Sequence, residues 1–284
     1  MRIVYLPFYM KYNIILILFL TFFVTSCKSG FETIQKSKDF NYKLQKADEY
    51  YDKKLWSKAN VLYEELLTIF KGTKNFETVY YKYAFTFYND RNYLAASYHF
   101  KNFAELFPKS SNTDECEYLN ALCLFNLSPE YTLDQSNTVK SIGEMQTFVN
   151  THPDSKKIKE ANEMIDASRE KLEEKDKYGA ELYYKISEYK AASVAFEQIL
   201  RKYPDSKNAE YYQYMIVKSS YYYAKNSIVD KQELRYNTAV ANFKDFIKVY
   251  TKSQYRSELE KINSLSLQSL KKIASHDSNY KAFN

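Results

Sequence analysis

The sequence contains little glycine and little proline. Only 4 glycines and 5 prolines occur among its 284 residues, well below the usual shares of about 7% and 5%. Sheet proteins with many tight turns depend on these two residues, so their scarcity disfavours such folds. The glycines also stand alone in the sequence, which excludes glycine-rich phosphate loops and dinucleotide-binding fingerprints. The composition therefore favours an all-helical protein.

Histidine and cysteine are scarce as well, with 3 of each. His99, His152 and His276 lie in separate segments, and the sequence has no His-x-x-x-His or Cys-x-x-Cys spacing, so no transition-metal site is indicated. Adjacent carboxylates such as Glu64 and Glu65 point in different directions on a helix and do not form a catalytic pair. We therefore expect no catalytic residue, no metal and no cofactor, and a protein that is not an enzyme.

The amino terminus has too short an apolar run to span a membrane. Residues 1–26 contain Arg2 and Lys11, no acidic residue, and an eleven-residue apolar run, 14–24, that only Thr21 interrupts. A membrane-spanning helix needs about 20 apolar residues, whereas the apolar region of a signal peptide has about 7 to 15. The segment is therefore typical of a secretory signal peptide.

The end of this apolar run resembles a bacterial lipobox. The small residues Val24-Thr25-Ser26 directly precede Cys27, and we expect cleavage before Cys27, diacylglycerol on its sulfur and an acyl chain on its amino group. The alternative is an uncleaved amino-terminal helix with a buried cysteine. Because Met10 is followed by Lys11, it starts a more typical signal peptide than Met1, and both translation starts stay open.

The mature chain has no block of like charge and no disulfide candidate. Loss of Arg2 and Lys11 lowers the net charge from +6 to +4. Charges of both signs alternate along most segments, which is typical of solvated helix surfaces and not of nucleic-acid binding. Cys116 and Cys123, seven residues apart, are separated by about 10 Å on one helix, too far for a disulfide. We expect both to be small core residues.

One pattern recurs five times: a small residue, an apolar or aromatic residue four positions later, and an aromatic residue or histidine seven further on. The small residue lets two helices approach closely, and the proline that often follows ends the helix. Each copy is interpreted as the second helix of a hairpin. The copies are Ala59, Tyr63 and Phe70; Ala96, Phe100 and Phe107; Ser141, Met145 and His152; Ala192, Phe196 and Tyr203; and Ala239, Phe243 and Tyr250.

Hairpins with this pattern resemble the tetratricopeptide repeat. We expect an all-α, tetratricopeptide-like α-solenoid of about five helical hairpins plus a carboxy-terminal capping helix over 258–274. The copies begin 37, 45, 51 and 47 residues apart, more than the roughly 34 residues of the plain repeat, so their helices or loops are extended. The Lys- and Glu-rich segment 156–175 is interpreted as an amphipathic helix lying on its neighbours, with a coiled-coil surface as the alternative.

The predicted organisation has five parts. They are a signal peptide at 1–26; a lipidated cysteine and linker at 27–39; amino-terminal repeats forming a substrate-binding half at 40–155; carboxy-terminal repeats and the capping helix, forming a partner-docking half, at 156–275; and a tail at 276–284.

Aromatic residues on the first helices of the hairpins are candidates for binding, because these helices usually line the binding face of a repeat stack. With Ala84 as the packing residue of its helix, the residues turned to that face are Tyr81, Phe85 and Tyr88. The equivalent residues of the first repeat are Leu44, Asp48 and Tyr51. Rings give a large contact area at low entropic cost, which suits extended peptides. The alternative is that the rings only pack on neighbouring repeats.

Several segments resemble the BamD family of outer-membrane assembly lipoproteins. They are the lipobox, the early hairpin 51–59, the stretch 128–138 with its Asp-Gln-x-x-Thr loop, and the segment 180–184 followed by a hairpin that ends at 201–206. The resemblance covers residues 40–274, including the five repeats. The sequence departs from the family pattern where Lys71-Gly72 replaces an aromatic-proline exit and where Thr251 replaces a proline.

This resemblance implies a lipoprotein on the periplasmic face of the outer membrane that assists β-barrel assembly. It implies binding of unfolded barrel precursors, whose carboxy-terminal strands are rich in aromatic residues, and docking to the POTRA domains of a BamA-like insertase. The expected precursor contacts are Asp48, Tyr51, Tyr81, Phe85 and Tyr88. The expected insertase contacts are Tyr250 and Arg256. The alternatives are a generic envelope scaffold and a glycan-binding lipoprotein of the SusD type, although SusD-type chains are far longer.

Overall fold

The structure is a computed structural model that describes the backbone of residues 30–282 and the side chains of residues 30–275. Every regular element in that range is a helix, so the expected all-α, tetratricopeptide-like fold is confirmed. The signal peptide and Cys27 lie outside the described residues. The helices are α1 (30–35), α2 (Phe40–Asp52), α3 (Trp56–Phe70), α4 (Phe76–Asn89), α5 (Tyr93–Leu106), α6 (Thr113–Asn126), α7 (Ser136–Thr151), α8 (Ile158–Lys185), α9 (Tyr189–Lys202), α10 (Ala209–Lys225), α11 (Val229–Val249) and α12 (Arg256–Ala282).

The chain forms two compact units. Within the described range, unit 1 comprises residues 30–128 and 136–165, and unit 2 comprises residues 129–135 and 166–282. The chain passes from one unit to the other inside α8, after Ile165. The division into a substrate-binding half and a partner-docking half concerns binding roles and remains a prediction.

The five hairpins are α2–α3, α4–α5, α6–α7, α8–α9 and α10–α11. In each of them, the small residue of the recurring pattern is buried. Each of these residues is at most 2% exposed, and the residue four positions later is at most 6% exposed. Full burial of a large apolar side chain contributes about 1.5 to 3 kcal/mol, so these contacts stabilise every hairpin. The small residues are Ala59, Ala96, Ser141, Ala192 and Ala239.

Turns inside three hairpins share a backbone feature that the sequence pattern did not reveal. A non-glycine residue takes a left-handed conformation, with φ of 58° at Lys54, 59° at Arg91 and 66° at Ser187. The next N–H donates to the carbonyl five residues earlier, as in a Schellman helix end. A tyrosine three residues before and an aromatic residue two after pack edge to face: Tyr51 on Trp56, Tyr88 on Tyr93, and Tyr184 on Tyr189.

Turns between successive hairpins are closed by a hydroxyl. In all four of them, and in the turn from the last hairpin to α12, a Ser or Thr oxygen accepts a hydrogen bond of 2.9–3.3 Å from the backbone N–H two residues later. In the first of these turns Gly72 has φ of 81°, a conformation that glycine adopts without steric strain. It follows Lys71, which stands where three of the other four hairpins have proline. The hydroxyls belong to Thr73, Ser110, Ser155, Ser206 and Ser253.

Several helices extend beyond the expected limits. The structure has α8 continuing to Lys185 instead of Lys175, and α12 continuing to Ala282 instead of ending near Ala274. No proline and only one glycine lie in these two helices, so no strong local signal stops them. The expected linker 27–39 contains α1. Cys116 and Cys123 are free and fully buried on α6, as expected.

Candidate polypeptide-binding surface

The candidate surface lies in unit 1, on the first helices of the first two hairpins. We call the rings of Tyr51 on α2 and of Tyr81, Phe85 and Tyr88 on α4 the unit 1 row; all four are half buried. Along α4 the ring centroids of Tyr81 and Phe85 are 4.7 Å apart, and those of Phe85 and Tyr88 are 6.2 Å apart. Residues at this spacing share one face of a helix, and the three rings of α4 form one continuous strip.

Buried phenylalanines of α5 support this strip from below. The ring centroid of Phe85 lies 5.1 Å from that of Phe100, and the centroid of Tyr81 lies 5.7 Å from that of Phe103. Both supporting residues are fully buried. Both rings therefore pack on the core, and because each is only half buried, part of each remains accessible to solvent.

Asp48 holds the first ring of the row in place. One of its carboxylate oxygens, Oδ1, accepts hydrogen bonds from the Tyr63 hydroxyl at 2.6 Å and from Lys82 Nζ at 2.7 Å. The Lys82 ammonium also lies 5.8 Å from the centre of the Tyr51 ring, within the range of a cation–π contact. Asp48 therefore connects α2, α3 and α4 and is a positioning residue for Tyr51.

Tyr81 connects the row to the third hairpin. Its hydroxyl donates a 2.7 Å hydrogen bond to Glu115 Oε2 on α6. Burial raises the pKa of Tyr81, and the Glu115 carboxylate raises it further. The hydroxyl is thus a neutral donor at physiological pH. Leu44, expected on the same face, is half buried and packs with the core of the first hairpin.

The residues expected to dock a partner lie in unit 2, where the chain turns from α11 to α12. Tyr250 is half buried, with its ring centroid 5.2 Å from that of Phe246. Arg256 is exposed at the start of α12, where Nε donates to Glu260 Oε1 at 2.8 Å and Nη1 donates to the Thr251 carbonyl at 2.9 Å. Both residues therefore help to build this turn, and Arg256 also faces solvent.

A second group of tyrosines lies in unit 2 and was missed from the sequence. We call it the unit 2 cluster. The only signal was the density of tyrosine on α10, six between residues 211 and 223. Its members are Tyr184 on α8, Tyr214, Lys218 and Tyr222 on α10, Tyr255 before α12, and Glu258 on α12.

Lys218 is the centre of the unit 2 cluster. Its ammonium donates to the Tyr214 hydroxyl at 2.8 Å and pairs with Glu258 at 3.1 Å, and the Tyr214 hydroxyl donates to Glu258 Oε2 at 2.8 Å. Burial lowers the pKa of Lys218, but the hydrogen bonds with Tyr214 and Glu258 outweigh it and the net pKa is raised. Burial raises the pKa of Glu258, and the same two partners bring it below its usual value. The pair is therefore charged at neutral pH.

The described residues offer little basis for other chemistry. Among them, no group of three or more His, Cys, Asp or Glu side chains is arranged to hold a metal ion. Within the same range, no helix combines the length and the apolar character needed to cross a membrane. Burial raises the pKa of the Cys116 thiol, and it raises that of Cys123 to about 12. Both thiols are therefore protonated at neutral pH and poor nucleophiles.

Helical hairpins with small residues at their crossings and rings on their first helices define a tetratricopeptide-type repeat protein, a class that acts through protein–protein contacts. The sequence pattern of the family described as "YfiO: Outer membrane lipoprotein" matches residues 36–191 and 180–279. The chain belongs to this family of outer membrane lipoproteins.

Solved structures of repeat proteins are also similar to this chain. The TPR2AB-domain:pHSP90 complex of yeast Sti1 aligns at 11% identity and a TM-score of 0.36, over 81% of this chain and 98% of that chain. A tetratricopeptide repeat protein from Parabacteroides merdae aligns at 11% identity and a TM-score of 0.33, over 84% of this chain and 80% of that chain. No curated protein matches the sequence.

Proposed function

We propose that this lipoprotein is a BamD-type assembly factor, which binds unfolded β-barrel precursors on the periplasmic face of the outer membrane and delivers them to a BamA-like insertase. Membership of the outer membrane lipoprotein family supports the location. The repeat fold supports a role in binding other proteins. The more specific role, binding of barrel precursors, rests on the unit 1 row.

The row carries this proposal because its geometry suits an extended chain with aromatic side chains. Alternate side chains of an extended strand lie on one face about 6.6 Å apart, close to the 6.2 Å between the Phe85 and Tyr88 ring centroids. The ring contacts of Phe85 with Tyr81, Tyr88 and Phe100 are tilted or edge-on, at 50°, 72° and 80°. Such contacts cover fewer ring faces than stacking would, and the rings of the row are only half buried, so ring surface is left for a ligand ring to contact.

Tyr250 and Arg256 are the proposed docking residues for the insertase. They lie in unit 2, on a different unit from the row, so a precursor and an insertase need not compete for the same residues. The exposed Arg256 guanidinium can form a bidentate contact with a partner carboxylate. Because its Nε and Nη1 already bind within the chain, it approaches a partner with little loss of side-chain freedom.

Crosslinking in living cells tests the proposal. A photoreactive amino acid at Phe85 should trap barrel precursors, whereas the same group at Tyr98 should not. Tyr98 is a suitable control because it lies in the same unit, on α5, is 63% exposed, and is not part of the row. Depletion of the protein should also lower the amount of barrel proteins in the outer membrane while other lipoproteins still arrive.

Two outcomes would contradict the proposal. A generic envelope scaffold would yield crosslinks at Phe85 to folded partners only, without precursors. Normal barrel assembly after depletion would reject a role in that process. Co-purification of a BamA-like barrel that is lost in an Arg256→Glu variant, with Arg201→Glu on α9 as the control, would support the docking residues.

A further inference from the structure

The short helix α1 is fixed on the first hairpin instead of acting as a free linker. Ile34 is 8% exposed and belongs to the core of that hairpin. The Phe31 ring centroid lies 5.8 Å from that of Tyr50 on α2, and the Lys58 ammonium of α3 lies 5.9 Å from the Phe31 ring. Both helices of the hairpin therefore hold α1.

A buried lysine fixes the other end of α1. Lys43 on α2 is 4% exposed; its ammonium donates to the Gln35 carbonyl at 2.7 Å and pairs with Glu65 Oε2 at 2.6 Å. A buried ammonium is tolerated only when it is paired and hydrogen-bonded, and the Gln35 carbonyl supplies one of those bonds. Displacement of α1 would therefore leave the buried Lys43 ammonium without one of its hydrogen bonds.

These contacts also give the direction of α1. Gln35 lies beside Lys43, near the start of α2, whereas Phe31 lies beside Tyr50, near its end. The chain preceding Gly30 therefore leaves at the end of the hairpin where α2 turns into α3. Cys27 is three residues before Gly30, and at no more than about 3.6 Å per residue its Cα lies within about 11 Å of that point.

From this geometry we infer that the turn between α2 and α3 rests on the surface of the lipid bilayer that holds the acyl chains of Cys27. We call residues 53–55 with Lys58 the membrane turn. The inference rests on acylation of Cys27 and not on precursor binding. A tether this short leaves the membrane turn at the headgroups, whereas the opposite end of the hairpin is one thirteen-residue helix away and can lie up to about 20 Å further out.

The chemistry of the membrane turn fits a surface of anionic headgroups. Lys53 and Lys54 are exposed, Lys58 is half exposed, and Leu55 is 42% exposed. Asp52 is the adjacent carboxylate, so cations predominate. Lysines beside an anionic membrane strengthen binding by about fivefold each, and an exposed leucine can enter the interface. Charge alone does not determine which end of the hairpin faces the membrane, because Lys71 and Lys74 are exposed at the opposite end. The short tether to Cys27 selects the end that carries the membrane turn.

Depth-dependent quenching tests the inference on the full lipidated protein. The protein is reconstituted in vesicles of phosphatidylethanolamine and phosphatidylglycerol that contain a lipid with a nitroxide headgroup. A fluorophore attached through Leu55→Cys should lose most of its emission, and one attached through Lys74→Cys should keep it. The native Cys116 and Cys123 are fully buried and remain unlabelled. Equal quenching at the two positions, or stronger quenching at Lys74→Cys, would overturn the inference.

Two lysine variants test whether α1 sets the orientation. Lys43→Met removes the bond to Gln35 and should reduce the difference in quenching between the two labelled positions. Lys46→Met is the matched control, since Lys46 pairs with Glu49 on its own helix, and it should leave the difference intact. An unchanged difference in Lys43→Met, or a mass spectrum of Cys27 without acyl chains, would reject the inference. Loss of precursor crosslinks at Phe85 with quenching intact would reject only the proposed function.

Discussion

The unit 1 row and the unit 2 cluster are built from the same kind of residue but differ in what their rings leave exposed. In unit 2 the rings of Tyr214 and Tyr255 stack at 4.1 Å and 18°, and Tyr222 stacks on Tyr189 at 5.3 Å and 26°. The Lys218 ammonium lies 5.7 Å from the Tyr184 ring and 5.0 Å from the Tyr214 ring. Tyr214, Tyr222 and Tyr255 therefore each have a ring face occupied within the protein, whereas Tyr184 meets Tyr189 and Tyr222 edge-on, at 69° and 77°.

The rings of the unit 1 row meet their neighbours mainly edge-on. Tyr51 contacts Trp56 at 76°, Tyr88 contacts Tyr93 at 64°, and Tyr81 contacts Phe103 at 62°. An edge contact covers a face of only one of the two rings, whereas a stacked contact covers a face of both. Abundance of tyrosine alone thus does not identify a binding surface; the angle between neighbouring rings separates a candidate surface from an internal support.

The largest expected effect is on peptide binding. Phe85→Ala should weaken binding of an aromatic-rich peptide from the end of a barrel precursor by at least about 2 kcal/mol, roughly thirtyfold, because a central ring would be lost. Tyr222→Ala in unit 2 should have little effect. Fluorescence anisotropy with a labelled peptide measures both dissociation constants.

Phe85 also packs on Phe100, so loss of binding must be separated from loss of folding. Phe85→Leu preserves most of the packing volume and should keep a normal melting temperature while still binding weakly. Equal losses in Phe85→Ala and Tyr222→Ala, each with a folded protein, would abolish the distinction between the two units.

The hairpin architecture was predictable from sequence because helix packing is local and periodic. Ala96 and Phe100, four residues apart, must lie on one helix face, and both are fully buried. Met145 and Phe196, each four residues after the small residue of its helix, are fully buried for the same reason. A proline after the third position then marked the helix end. The whole pattern of small, apolar and aromatic positions lies within about fifteen residues of sequence, slightly more than the average length of a helix.

Contacts between distant residues were not predictable in the same way. Lys218 and Glu258 are forty positions apart, and nothing in the periodicity of either helix pairs them. The hydrogen bond from the Lys43 ammonium to the Gln35 carbonyl was missed because a lysine on an amphipathic helix normally faces solvent. The left-handed residues Lys54 and Arg91 gave no signal because glycine usually occupies such positions.

A second prediction concerns the close helix packing that occurs within each of the two units. Ala96→Leu in unit 1 and Ala192→Leu in unit 2 should each lower the free energy of unfolding by about 1 to 3 kcal/mol, because both sites are fully buried and have no room for a larger side chain. Urea unfolding followed by circular dichroism measures the change. Ala274→Leu, at an exposed position of α12, is the control. Neutral results at both buried sites would show that the hairpin register is wrong.

A third prediction uses the left-handed turns. Glycine relieves the strain of φ near 60°, so Arg91→Gly in unit 1 and Ser187→Gly in unit 2 should each raise the free energy of unfolding by about 0.5 to 1 kcal/mol. Arg91→Ala, which keeps a Cβ atom, should give no gain. A gain in only one unit would mean that the two turns are under unequal strain, although their hydrogen bonds are alike.

The smallest expected effect is a pH dependence confined to unit 1. Among residues whose side chains are described, histidines occur only there. The His99 ring stacks on Phe87 at 5.0 Å and 13°, and burial lowers the pKa of His99. The unfolded chain, with a histidine pKa of about 6.5, then takes up a proton more readily than the folded one. Stability is therefore lost as pH falls below about 6.5 toward the lower pKa of the folded state.

Replacement of His99 by phenylalanine should remove this dependence, because phenylalanine preserves the ring contacts and has no proton to gain. Urea unfolding from about pH 7.5 to about pH 5.5, the range in which histidine titrates, should show a decline in the native protein that is smaller in His99→Phe. His276→Ala should behave like the native protein. An equal decline in all three proteins would assign the acid sensitivity to carboxylates, which both units contain, and the two units would then no longer differ in this respect.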